Sequence, residues 1–242
     1  MKSNVIFSAS RRNVLKYGFG LMAVGLLAAC GAPAATTAPT SVPATPAPAA
    51  TAPADNKAAP ATSGAVFQID QSASKASFTL GEKLMGTPKT VVGTTSKVSG
   101  SITANLDNPA STKIGTIQID ATSFSTDSDM RNGAIKRFIL QSAQSQYQFI
   151  TFEPTAIDGL KAPVAAGTAM PVKITGNLKI KDAVKPVTFD GTVTLKSDTQ
   201  IEGNLKATVL RADFGLTIPN VPSVADVTEE VKLELQFSAM KQ

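Results

Sequence analysis

The 242-residue chain has no histidine and no tryptophan. Without an imidazole there is no Ser-His-Asp triad, no Cys-His pair and no histidine-ligated metal site. A single cysteine, Cys30, excludes an internal disulfide and any thiolate cluster. Aromatic residues are only 5% of the chain, with two tyrosines, and no long basic run exists. A nucleic-acid surface therefore has no support. No glycine-rich loop stands between a strand and a helix, so nucleotide binding has no motif. The apolar run Tyr17 to Leu27 falls well short of the roughly 20 residues that span a bilayer. Carboxylates remain, and Asp127 with Asp129 can in principle hold a cation or act as an acid/base pair. Capping and solvation explain them more simply. The chain reads as a binder, not an enzyme, with no cofactor and no metal.

What is present begins with the leader, residues 1–29. Lys2, Arg11, Arg12 and Lys16 form a positive region, Tyr17 to Leu27 an apolar one, and Ala28-Ala29 a small-residue cleavage site. Ser10-Arg11-Arg12-Asn13-Val14-Leu15-Lys16 resembles the twin-arginine export motif, with Val14 where phenylalanine is usual. Leu27-Ala28-Ala29-Cys30 resembles a bacterial lipobox, which makes Cys30 the expected lipid-attachment site. Each buried acyl methylene contributes about 0.8 kcal/mol, so several chains on one residue anchor stably. The expected address is an exported lipoprotein, on the outer face of the cytoplasmic membrane or in the periplasm or outer membrane.

The excess of positive charge also belongs to this end. Five of the 23 basic residues and one of the 18 acidic ones precede residue 65, leaving the remainder at a net +1. Residues 30–64 form an Ala/Pro/Thr-rich stretch with seven prolines between Gly31 and Gly64. Such a composition buries too little apolar surface to offset ordering and reads as a disordered linker.

Residues 65–242 read as one domain whose dominant signal is alternation. Val172, Ile174, Gly176, Leu178 and Ile180 share one parity, as do Val187, Phe189, Gly191, Val193 and Leu195. Ile201 to Val209 and Val231 to Phe237 repeat it, with polar residues mostly opposite. This is the period of long, half-buried antiparallel strands. Phe78–Leu80, Val91–Leu106 and Ile114–Ala121 read similarly but less cleanly. Met130, Ala134, Ile135, Phe138 and Ile139 instead fall at helical spacing, and Thr126 with Asp129 suggests a capping box. An all-β fold with one helix of about three turns follows. A long sheet with one apolar face closes most economically into a barrel of about eight strands, although periodicity also allows an open sandwich. Gly176, Gly191 and Gly203, on the apolar parity, either bend strands or leave internal room.

Particular segments carry a resemblance. Phe67-Gln68-Ile69-Asp70 and Ser77-Phe78 resemble the opening of the YceI-like family, though the histidine often found after that aspartate is missing. Arg131-Asn132 with Ile135, Phe138 and Leu140 looks like the family's Arg-Asp helix, with Asn132 in place of the acid. Phe149 to Pro154 follows as a strand. Gly176 to Phe189 resembles the signature hairpin, with Asp182-Ala183 at the turn where a glycine is common. Arg211 to Leu216 matches an Arg-x-x-Phe-Gly segment. The resemblance covers residues 66–242 and implies a lipocalin-like barrel that binds polyisoprenoid lipids.

On that basis Phe78, Phe138, Phe152, Leu178, Phe189, Val193 and Leu205 are candidates for the wall of a ligand tube. Each is equally a core position, since both roles need an inward apolar residue. Arg131 and Arg211 are candidates for the mouth, where a guanidinium can meet a phosphate or form a salt bridge, with Asp213 a possible partner for Arg211. The expected partners are the membrane, through Cys30, and a polyisoprenoid or quinone-like lipid. The alternative is a structural lipoprotein whose barrel is filled by its own side chains and whose surface binds a protein.

Overall fold

The alternating segments become strands across residues 64–242, the part of the chain that the computed structural model describes. The leader, Cys30 and most of the linker lie outside the described residues. In chain order the elements are β1 (Ala65–Ile69), β2 (Lys75–Leu84), β3 (Thr87–Thr95), β4 (Val98–Ser99), β5 (Ser101–Ala104), β6 (Lys113–Ile114) and β7 (Ile117–Asp120). Then come α1 (Asp129–Ala134), β8 (Phe149–Asp158), β9 (Ala169–Ile180), β10 (Ala183–Ser197), β11 (Gln200–Leu210), β12 (Val224–Ala225) and β13 (Glu230–Lys241). Every pairing is antiparallel.

The sheet curls into a barrel by way of one interrupted strand. β4 pairs with β7, while β5, one residue later, pairs with β1. Gly100 sits at the break, and its carbonyl accepts from the Ile69 amide at 3.0 Å. A ring of β1, β4/β5, β7, β8, β9, β10, β11 and β13 results, so the expected lipocalin-like barrel is the fold. Sequence alternation around Val91–Leu106 is blurred because that stretch is three short strands and two bends rather than one strand.

β13 is shared. Its last residues pair with β1 and its first with β2, and β2 forms a hairpin with β3. At that end β3 does not reach β7 or β8. Residues 124–139 fill the place, joined to β3 by a bridge between Thr94 and Ser125.

The helical segment differs from expectation in two ways. Its N-cap is Ser128, whose hydroxyl accepts from the Arg131 amide at 3.4 Å, not Thr126. Thr126 instead donates from both its amide and its hydroxyl to Asn132 Oδ1, at 2.7 and 2.8 Å. One amide oxygen thus satisfies two donors ahead of the helix. Beyond Ala134 the helix widens into a π turn, Ile135–Ile139. That change of pitch buries Ile135 and turns Phe138 out to solvent, 60% exposed.

Inside, the apolar parities converge. Val172, Ile174, Leu178, Phe189, Leu195, Ile201, Leu205 and Phe237 are buried in one cluster. The inward glycines are covered by rings from neighbouring strands. A Cβ on Gly93 would stand 2.2 Å from Phe78 and one on Gly203 2.4 Å from Phe237, while one on Gly176 would meet the backbone oxygen of Glu153 at 2.4 Å as well as the ring of Phe152 at 2.8 Å. Phe78 lies directly across from Gly93, and Phe237 from Gly203. Gly191 differs: its Cβ would fall 1.9 Å from the backbone oxygen of Asn204 on β11. These glycines serve close approach, by a ring or by a strand, and do not by themselves leave empty space.

Candidate functional site

Although rings cover the glycines, the barrel is not filled. A cavity of about 680 Å³ runs along its interior, walled almost wholly by inward apolar side chains. This size lies within the range of small-molecule sites. Phe152 and Phe189 meet edge to face on one wall, with centroids 5.0 Å apart, and Phe78 meets Phe124 likewise at 5.3 Å.

Of the sequence-derived candidates, Phe78, Arg131, Phe152, Leu178, Phe189, Val193, Leu205 and Arg211 all border this cavity. Phe138 does not. It sits on the outer face of the π turn, because the wider turn rotates it off the stripe that an α-helix would have presented.

The register distinguishes the two ends. The β2–β3 and β9–β10 turns and the segment from β11 to β13 lie at one end, and the β10–β11 turn lies at the other. At the latter end Leu195, Ile201, Ile69 and Ile102 are buried, and the loop carrying Leu160 and Val164 packs over them. That end is closed. The wall residues that are themselves exposed are Asp127, Met130, Val221 and Ser223, and all four stand at the first end. The cavity opens there.

One polar group interrupts the apolar wall near this mouth. Glu82 occupies the inward parity of β2, after Ala76, Phe78 and Leu80, and its side chain is only 6% exposed. Burying a carboxylate requires a partner. Arg131 Nη2 donates to Glu82 Oε1 at 2.6 Å, while Nη1 donates to Asp127. Lys89 completes the group at 2.7 Å from Asp127. The Lys89 ammonium bonded to Asp127 holds its carboxyl below the usual 3.8, outweighing an opposing desolvation, with the Arg131 charge acting in the same sense as Lys89. Two cations thus meet two carboxylates, and Arg131 docks the helix start onto the β2–β3 hairpin. Asp129 makes no such pair; its Oδ1 accepts from the side-chain amide of Asn132 at 3.4 Å.

Arg211 is engaged with backbone. Its guanidinium donates to the carbonyls of Thr228 at 3.1 Å and Leu216 at 3.3 Å, and pairs with Glu229 rather than the expected Asp213. It fastens the loop after β11, whose Leu216, Ile218 and Val221 cover part of the open end.

Sequence reasoning passed over Glu82 and this loop. An acid on an apolar parity is a signal that β2 carried openly. The loop residues follow no period, and nothing in their spacing marks them.

Among known proteins, the family model described as YceI-like domain matches residues 67–239. No curated protein matches the chain. Two solved structures are similar in fold. One is a polyisoprenoid binding domain from Saccharophagus degradans implicated in plant cell wall breakdown, with a TM-score of 0.58 at 19% identity. The match covers 74% of this chain and 99% of that one. The other is BcnA of Burkholderia cenocepacia, with a TM-score of 0.53 at 22% identity, over 71% of this chain and 99% of that one.

Proposed function

This chain belongs to the YceI-like family, and from that membership and its open apolar cavity we propose that it holds a polyisoprenoid or similar amphipathic lipid inside the barrel. The polyisoprenoid binding of the Saccharophagus neighbour supports the class of cargo. The observation that carries the reading is the lumen itself: about 680 Å³, apolar along its length, closed at one end and open at the other. An apolar chain entering it leaves water on all sides, which is where the binding free energy arises.

The mouth narrows the choice of headgroup. Arg131 and Lys89 already have carboxylate partners, so a phosphate would have to displace Asp127 or Glu82. A cargo with an uncharged polar head makes no such demand. In this reading the protein is a lipoprotein anchored through Cys30, exported by the twin-arginine route. It faces the outside of the cytoplasmic membrane or the periplasm, and it carries or sequesters its lipid without converting it.

Mass spectrometry of an organic extract of the purified full chain tests the cargo. A stoichiometric lipid, separate from the acyl chains on Cys30, is expected. A barrel that is empty and takes up no added isoprenoid alcohol would overturn the reading and favour a structural protein with a protein partner.

A further inference from the structure

The open end of the barrel carries large apolar side chains that reach into solvent. Met85 is 84% exposed, Met130 86% and Val221 37%. They come from three separate elements. Met85 is in the β2–β3 turn, Met130 in α1, and Val221 in the loop after β11. The Met85 amide donates to the Ser223 carbonyl at 2.8 Å, which places the turn beside that loop. Arg131, next to Met130, is bonded to Glu82 two strand positions below the turn. Met130 and Val221 thus line the opening, and Met85 stands beside it.

Met85 is also in an unfavourable backbone position. Met85 and Gly86 have φ of 51° and 81°, the pattern of a two-residue turn in which asparagine, aspartate or glycine is usual. A methionine there is disfavoured by sterics and by water alike. Lys181 in the β9–β10 turn shares this conformation, so what sets Met85 apart is an apolar side chain held in it at 84% exposure.

We propose that this rim docks on the surface of a lipid bilayer, so that cargo passes between membrane and lumen without crossing water. The proposal rests on the lipid-binding reading of the cavity. Two observations favour a bilayer over a protein surface, and a third allows it. The two most exposed of these side chains are methionines, unbranched and adaptable, beside an apolar opening, which suits a fluid surface without fixed contours. Three of the rim's cations already have carboxylate partners, Lys83 with Asp226, Lys89 with Asp127 and Arg211 with Glu229, so docking there needs no partner charge to satisfy them. The third concerns the chain before the barrel. Ala65 pairs with Ala104 beyond the level of Ile201, at the closed end. An anchor at Cys30 must therefore reach past the whole barrel for the mouth to meet the membrane. β13, with 12 residues, is about 40 Å long. The 34 residues from Gly31 to Gly64 can extend roughly 100 Å, so the segment is long enough.

Hydrogen exchange of the full chain, with and without vesicles of phosphatidylethanolamine and phosphatidylglycerol, tests this. Amides at Met85–Gly86 and Val221–Ser223 are expected to slow severalfold with vesicles, at high salt as well as low, while Ser197–Gln200 at the closed end does not change. The double variant Met85→Asn, Met130→Gln loses the slowing, and its unfolding midpoint is not lowered, because both side chains are exposed and asparagine suits the turn. Absence of slowing at the rim, or slowing at the closed end instead, overturns the proposal. Rim protection that grows with protein concentration in the absence of vesicles overturns it in favour of a second copy. A lipid in the organic extract with an unresponsive rim refutes the docking alone. An empty extract with a protected rim refutes the cargo alone.

Discussion

Arg131 has become a different residue from the one its position suggested. Free at a mouth, it would select phosphate. Bonded to Glu82 and Asp127, it holds a buried carboxylate in place and fixes the helix to the hairpin. Arg131→Ala strands Glu82 among apolar neighbours and should destabilise the domain by about 3–5 kcal/mol in urea unfolding. Replacing both partners, as in Glu82→Met with Arg131→Met, should recover most of that loss, because no unpaired charge is left. If instead the single variant is as stable as wild type, the pair is not structural. Asp127 predicts a pH dependence. Its folded value lies below 3.8, so the stability it contributes is fully present above that value and is lost as pH falls through the lower, folded one. A carboxyl-carbon NMR titration of Asp127 should therefore show a midpoint below 3.8, and Lys89→Met should move it upward.

Elements were legible in the sequence to the degree that each had one wet and one dry face. β9, β10 and β11 meet that condition over most of their length, and β13 as far as Phe237, so their parity is readable there; Phe237, Ser238 and Ala239 are buried in succession and the period ends. The stretch from β4 to β8 does not. There the chain changes direction every few residues, through Gly100, short helical turns and the π turn, and no period lasts long enough to be recognised. The glycines show a similar limit. Their place on the inward parity was readable, but what covers each was not, since that depends on the neighbouring strand. Gly203 faces the ring of Phe237, which has the cavity beside it and can swing aside. Gly191 faces a strand backbone, which cannot. Gly203→Ala should thus cost about 1 kcal/mol, and Gly191→Ala about 3 kcal/mol or more, compared by denaturant unfolding.

For the whole molecule, the closed barrel was foreseeable from the economy of removing edges, and its open lumen was not. An inward apolar residue reads the same whether it touches another side chain or empty space. Phe152, Leu178, Phe189, Val193 and Leu205 illustrate this: they were picked out as apolar residues of strands, and only their arrangement separates a wall from a core. A small-to-large substitution makes the distinction in solution. In a packed interior Val193→Phe would cost about 1–3 kcal/mol. In this barrel it should leave the unfolding free energy nearly unchanged and lower the amount of lipid recovered per protein.

The rings lying over Gly93 and Gly203 bear on how such a barrel diversifies. At each, a single methyl group displaces one ring and leaves the pairing of the strands alone. The gauge of the tube is therefore set by a few interchangeable positions, and descendants of one sequence can trade one cargo for another by small steps while inheriting the same scaffold.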